Sequence, residues 1–327
     1  METKKNTLLA IGEALIDFIP GQTGKKIKEV SEFQPIVGGA PANVCGAFVK
    51  LGGRARMITQ LGMDPFGDKI LDEFKRCGID CDGIKRTEEA NTSLAFVALA
   101  EDGNREFSFY RKPGADMLLD PAWITPRWFE DGYCLHFCSV SLGDYPMKEA
   151  HKRAIELARQ AGMIISFDPN LRRPLWNDDQ GLKKAVLEFL PLADVLKISD
   201  EELFFITGCH EPEQALDKLF QGHVRLVVYT QGAGGASAFT KEAHAHVPGI
   251  PVKALDTTGA GDAFIGSFLY QLYEQGIQAK DLASLTAKKM ESFLDFSNRC
   301  CAWSIQKKGA IASYPTKKEM ALNYGDS

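Results

Sequence analysis

The sequence has no excess of positive charge: its formal net charge is −5. Without a basic field, neither a nucleic acid nor an acidic membrane surface is an expected partner. A phosphorylated ligand remains compatible with that charge, because Mg2+ and backbone N–H groups hold phosphates without a basic protein. The chain also lacks the spacings that mark disulfide and metal frameworks. Its eight cysteines (Cys45, Cys77, Cys81, Cys134, Cys138, Cys209, Cys300 and Cys301) include no Cys-x-x-Cys pair. Most lie in apolar runs such as 133–138, so they are expected as buried free thiols in a reducing cytosol. The six histidines are scattered; His244 and His246 would share one face of a strand, and no third metal ligand is recognisable nearby. No Gly-x-x-x-x-Gly-Lys-[Ser/Thr] run occurs, which excludes a Walker-type phosphate loop. No internal repeat, low-complexity tract or long linker divides the chain. The first apolar stretch is short and broken by Glu13 and Asp17, so it reads as neither a signal peptide nor a membrane span. A soluble cytoplasmic protein is expected.

What is present suits one large α/β domain over 1–327, with 45% hydrophobic and 25% charged residues among the 327. Apolar runs alternate with helical patterns, which predicts a mostly parallel sheet flanked by helices. Core strands are expected over 8–12, 56–61, 133–138, 164–168, 195–199 and 226–230, and helices over 42–51, 66–77, 147–161, 180–190 and 201–207. Two stretches, about 15–36 and 90–113, alternate apolar and polar residues as half-exposed strands do. Phe96, Phe107, Phe109 and Tyr110 fit an antiparallel pairing turned at Asp102-Gly103. These insertions predict a small β-sheet lid over a cleft; an edge extension of the main sheet is the rival reading.

The most informative segment is Asp256-Thr257-Thr258-Gly259-Ala260-Gly261-Asp262, followed by an apolar helix over 263–273. A glycine-rich turn feeding a helix leaves backbone N–H groups free, and the helix dipole adds partial positive charge there. That is a site for an anion such as a transferring phosphoryl group. A carboxylate at Asp262, beside that anion, can accept a proton from an attacking hydroxyl. Asp262 as a mere helix cap remains open on spacing alone. A dinucleotide fingerprint does not fit, because Gly259, Gly261 and Gly266 are late in the chain and wrongly spaced. Gly38-Gly39-Ala40-Pro41-Ala42-Asn43 opens an earlier helix, where two glycines permit close backbone approach. Asn43 offers an amide to a polyol there, or caps the helix.

Together, GGAPANVCGAFVKLGG and DTTGAGDAFIGSFL resemble the two hallmark motifs of the ribokinase-like, or PfkB, family of carbohydrate kinases. Within it, the chain is similar to bacterial fructokinases through 111–118 and the run Phe167-Asp168-Pro169-Asn170-Leu171-Arg172. The resemblance implies a three-layer α/β/α fold with a β-sheet lid. It also implies an ATP-dependent transfer of phosphate to a sugar, fructose above others. Kinases for 2-keto-3-deoxygluconate, ribose, a nucleoside or a sugar phosphate are alternatives, and a silent sugar- or nucleotide-binding protein is the rival of another class.

By the same resemblance, Asp262 is the base and Gly259, Ala260 and Gly261 form the anion hole. Asp17, Gly38, Gly39 and Asn43 meet the sugar, with Arg111 and Arg172 as further candidates. Ser199, Glu202, Thr230, Gly232, Gly235 and Asn298 serve ATP and its Mg2+. Ser199 departs from the family's Asn-x-x-Glu pattern, whose first polar role passes to a hydroxyl. Asp256, Thr258, Ser304, Lys307, Gly309 and Ser313 mark an implied monovalent-cation site, for K+. A homodimer through the lids is implied as well.

Overall fold

Runs such as Leu8-Leu9-Ala10-Ile11 are apolar at every position, the pattern of a strand covered on both faces. The structure, a computed structural model, describes residues 5–22, 24–99 and 105–325. Its strands are β1 (Thr7–Ile11), β2 (Leu15–Pro20), β3 (Phe33–Gly38), β4 (Arg54–Gly62), β5 (Ile84–Thr87), β6 (Leu94–Leu99) and β7 (Arg105–Tyr110). They continue with β8 (Gly132–Cys138), β9 (Ile164–Asp168), β10 (Val195–Ser199), β11 (Leu226–Thr230), β12 (Ala236–Phe239) and β13 (His244–Val247). The helices are α1 (Ala40–Lys50), α2 (Pro65–Cys77), α3 (Pro146–Gln160), α4 (Asp179–Phe189), α5 (Asp200–Thr207), α6 (Leu216–Leu219), α7 (Ala260–Glu274), α8 (Ala287–Ser304) and α9 (Lys317–Tyr324).

Nine strands form the central sheet in the order β13-β12-β11-β10-β9-β8-β1-β4-β5. It is parallel except at the β12 and β13 edge. One apolar core, built on α1, α7 and α8, covers one face; a second, built on α3 and α4, covers the other. The fold is therefore the expected three-layer α/β/α arrangement. The expected strands and helices are present with boundaries shifted by at most two residues, except that the helix expected from 263 begins three residues earlier, at Ala260, and takes in Asp262.

A separate four-stranded sheet has the order β3-β2-β6-β7. It does not extend the main sheet. Its centre pairs β2 and β6 in parallel, whereas β2/β3 and β6/β7 are antiparallel. Phe18 and Phe96 stack at 4.5 Å on this sheet, with Phe33 and Tyr110 edge-on to Phe96. The expected turn at Asp102-Gly103, and the side chain of Phe107, lie outside the described residues.

The thiols need a correction. All eight are free, but only Cys45, Cys134, Cys138 and Cys300 are buried; Cys77, Cys81, Cys209 and Cys301 are partly exposed, because they lie at helix ends and in loops. No helix among the described residues is long and apolar enough to cross a membrane.

Parallel strands deliver their C-terminal ends to one edge of the sheet, the place where α/β folds form clefts. Here that edge presents Glu13 just after β1, Ser139–Ser141 after β8, Asp168 and Asn170 at and after β9, and Ser199 and Thr230 at the ends of β10 and β11.

Candidate active site

The turn that starts α7 is set by Gly259, whose φ of 72° is left-handed. A Cβ there would stand 2.4 Å from Tyr314 Oη, which donates to the Gly259 carbonyl at 2.9 Å. Only glycine meets both demands. Ala260 N–H donates to Thr257 O at 3.2 Å, so it is engaged in closing the turn. Of the expected anion-hole residues, Ala260 is thereby the least available. The next amides, of Gly261 and Asp262, belong to the first helical turn, which has no carbonyl partner within the helix.

Asp262 is 5% exposed, and both of its oxygens are oriented. Asn43 Nδ2 donates to Oδ2 at 2.8 Å, and Asn170 Nδ2 donates to Oδ1 at 3.1 Å. Asp262 is thus held from two distant segments and does not act merely as a cap. Burial raises its carboxyl above the ordinary aspartate range, opposed by Asn43, by the charges of Arg172 and Lys197, and by Asn170. Asn170 was not singled out from sequence. Its φ of 45° is left-handed, which asparagine tolerates better than most residues, and its N–H donates to Asp168 Oδ1 at 3.2 Å.

Two cavities meet here, sharing Asn170 and Arg172. The first is lined by Asp17, Gly39, Asn43, Arg172, Gly259 and Asp262, among others, bringing together residues expected at the sugar and at the base. Gly38 adjoins it: a Cβ there would stand 2.1 Å from Asp17 Oδ2, so only glycine lets β3 pass this close to that carboxylate. The second is an open groove lined by Lys197, Ser199 and Glu202. Ser199 and Glu202 form a reciprocal cap on α5: Glu202 N–H donates to Ser199 Oγ at 3.3 Å and Ser199 N–H to Glu202 Oε2 at 2.8 Å. Glu202 Oε1 accepts Leu171 N–H at 3.0 Å, which ties the Asn170 segment to α5.

Other expected residues are placed differently. Arg111 is neither solvated nor in the cavity around Asp262. Its guanidinium is buried in an ion pair with Asp116 and donates to Ser141 Oγ at 3.0 Å and Val140 O at 3.3 Å, in the wall of an adjoining cavity. Burial of its stem among these acceptors accounts for the change. Ser141 in turn donates to Glu13 Oε2 at 3.1 Å, and Ala40 N–H donates to Oε1 at 3.2 Å. Burial pushes the Glu13 carboxyl up to about 7, with Arg111 opposing. Glu13 lines the first cavity and was missed as a site residue; its position two residues after an apolar strand is the only signal for it.

Asn298 is buried and donates to the carbonyls of Val247 and Pro248, both at 3.2 Å. Its amide protons fix a turn and are not available to a base. Thr230 ends β11, with Gly232 and Gly235 in the left-handed turn that follows (φ 54° and 97°). Around the expected cation site, Asp256 accepts from Thr258 N–H at 2.9 Å and from Gly309 N–H at 3.0 Å, clamping two loops together. Ser304 and Ser313 donate to the carbonyls of Cys301 and Ala310, and Lys307 lies 4.0 Å over the Trp303 ring. The two hydroxyls spend their protons on these carbonyls, so their oxygens, together with the backbone carbonyls of this loop, are what a cation could meet. Among the described residues no group of three or more His, Cys, Asp or Glu could hold a metal ion.

With this geometry in view, the similarities are specific. Residues 5–317 match the family described as pfkB family carbohydrate kinase. Fructokinase-2 of Solanum lycopersicum is 40% identical over 313 residues, 95% of this chain and 94% of that protein. The fructokinase of Xylella fastidiosa with bound ATP superposes with a TM-score of 0.89 at 36% identity, covering 97% of this chain and 98% of that one. The fructokinase of Vibrio cholerae, in its fructose, ADP and calcium ion bound form, superposes at 0.85 with 33% identity, covering 97% and 98%.

Proposed function

The chain belongs to the pfkB family of carbohydrate kinases, and from that premise we propose that it transfers the γ-phosphoryl group of ATP to the O6 hydroxyl of fructose, giving fructose 6-phosphate. The observation that carries this reading is the double amide grip on Asp262 in the first cavity, whose Asn170 and Arg172 also line the open groove. The first cavity suits the sugar. Asp17 and Asn43 face it with acceptors and donors for hydroxyls, and Asn43 Oδ1 is buried without a protein partner. The groove suits the triphosphate, with its γ end directed at the first turn of α7.

In this reading Asp262 takes the O6 proton as O6 attacks the γ-phosphorus, and the amides of Gly261 and Asp262 receive the equatorial oxygens. Positioning and charge neutralisation supply most of the rate, because phosphoryl transfer needs little covalent help from the protein. Closure of the small sheet over the sugar excludes water and limits ATP hydrolysis. The carboxylate of Glu202 in the groove fits a hydrated Mg2+ carried by ATP, which would neutralise phosphate charge. The Asp256 clamp fits a K+ held by backbone carbonyls of the 304–313 loop, which would steady the anion turn from behind. The aromatic face of the small sheet, with Tyr110 64% exposed, suits a dimer through the lids.

Coupled measurement of ADP release over a panel of sugars tests the proposal. Fructose is expected to give the highest kcat/KM, and preference for another sugar would overturn the substrate. Arg172, half-buried and lining both cavities, favours 2-keto-3-deoxygluconate as the second reading, since its charge suits an acidic sugar. ATP binding with no sugar-dependent ADP release would overturn the kinase itself.

A further inference from the structure

Lys197 stands on β10 with its side chain 7% exposed, yet it lines the groove beside Ser199, Asn170 and Arg172. A buried ammonium is unfavourable unless carboxylates compensate it. Asp168 does so: Nζ donates to Oδ1 at 3.2 Å and lies 3.1 Å from Oδ2. Glu202 Oε2 is 4.0 Å away and already accepts Ser199 N–H. The hydrogen bond to Asp168 engages one of the three N–H groups of the ammonium. On its other side, Nζ is 3.4 Å from where a Cβ on Gly261 would stand. The cation is thus packed against the first turn of α7, whose Gly259 and Asp262 line the first cavity. Three carboxylates, Asp168, Glu202 and Asp262, raise its affinity for a proton against the effect of burial, so it stays charged.

We propose that Lys197 is a further catalytic residue, whose ammonium contacts the phosphoryl group in transfer and offsets its charge while Asp168 holds the ammonium in place. This rests on the reading of the site as an ATP-dependent kinase. In the step itself the O6–Pγ bond forms, the bond from Pγ to the β,γ-bridging oxygen breaks, and the O6 proton passes to Asp262. No bond is made or broken at Nζ. The lysine acts by position and charge alone.

The rival role is a counter-ion for Asp168, and a double variant separates the two. Lys197→Met/Asp168→Asn removes both charges together. If Lys197 acts on the phosphoryl group, the double variant keeps a wild-type Tm while kcat falls by about 100-fold or more. Recovery of kcat to within threefold of wild type would leave Lys197 as a counter-ion and overturn the proposal. Should the variant not fold, a crystal structure of the wild-type enzyme with ADP, aluminium fluoride and fructose decides: Nζ within hydrogen-bond distance of the fluoride or a phosphate oxygen supports contact, and an ammonium directed only at Asp168 refutes it. Sugar-dependent ADP release by the wild-type enzyme, measured alongside, tests the kinase reading independently.

Discussion

Asn170 donates its side-chain amide to Asp262 Oδ1 at 3.1 Å, joining two residues 92 positions apart in the chain. The bond stabilises the ionised carboxylate, the proposed base, and opposes the effect of burial. Because Asp262 must be ionised to accept a proton, activity is lost as pH falls through its raised pKa. Asn170→Ala removes a stabiliser of the charged form and raises that pKa further. The acidic limb of the kcat/KM profile should move up by about one pH unit, the scale of a hydrogen bond to a charged group. A uniform loss of rate with an unmoved limb would show that Asn170 acts on something else.

Asp262→Asn tests the base directly. The amide is isosteric and keeps a partner for at least one of the two asparagines, so the fold and nucleotide binding should survive. Turnover should fall by about 10²–10⁴, the usual contribution of a positioned base. Near-wild-type kcat in a folded Asp262→Asn enzyme would refute the assignment.

Gly259→Ala should damage both stability and rate. The left-handed backbone alone costs about 1–2 kcal/mol with a Cβ present. The clash with Tyr314 Oη at 2.4 Å adds to it and would tilt the first turn of α7. Adding Tyr314→Phe relieves the clash but forfeits the bond to the Gly259 carbonyl. The two losses should therefore be less than additive in thermal unfolding. Strict additivity would mean that the two side chains do not meet.

Arg111→Met should cost about 3–5 kcal/mol, because it leaves Asp116 buried without its cation. Asp116 also accepts from Ser93 Oγ at 2.5 Å, just before β6, so the loss should loosen the start of the small sheet. Adding Asp116→Asn should recover part of the stability. Urea denaturation of the single and double variants measures both, and a loss below about 1 kcal/mol for Arg111→Met would show that the ion pair is dispensable.

Sequence and structure agree where the signal is local. The turn at Gly259–Asp262 could be read because glycines, a carboxylate and an apolar helix lie within a dozen residues, although a cap role for Asp262 stayed open until Asn43 and Asn170 were seen to hold it. Asn43 was legible for the same reason. Lys197 was not: it is one polar position in an apolar strand, and its meaning comes from Asp168, 29 residues away on the neighbouring strand. Asn170 is one residue of a longer run, and a left-handed φ in asparagine leaves no mark in sequence. Arg111 beside Lys112 looks like a surface charge cluster until the chain folds it onto Asp116 and Ser141. Pairings made by topology are invisible to spacing, whereas caps and turns are not.

Glu13 makes the last test, because its titration couples the cleft to stability. Burial raises its carboxyl from 4.5 to about 7. The folded protein therefore holds this proton more tightly than the unfolded chain does. The resulting stabilisation is complete below pH 4.5 and is lost as pH rises through about 7. Its full span is about 3 kcal/mol. Glu13→Gln keeps the shape and an acceptor for Ala40 N–H but cannot ionise. Relative to wild type, the variant should gain stability between pH 5 and pH 8, whatever its offset at pH 5. Thermal unfolding at several pH values reads this difference, and a flat one would mean that the carboxyl does not titrate in that window. That flat result is the one expected if Arg111, acting through Ser141, holds Glu13 ionised throughout.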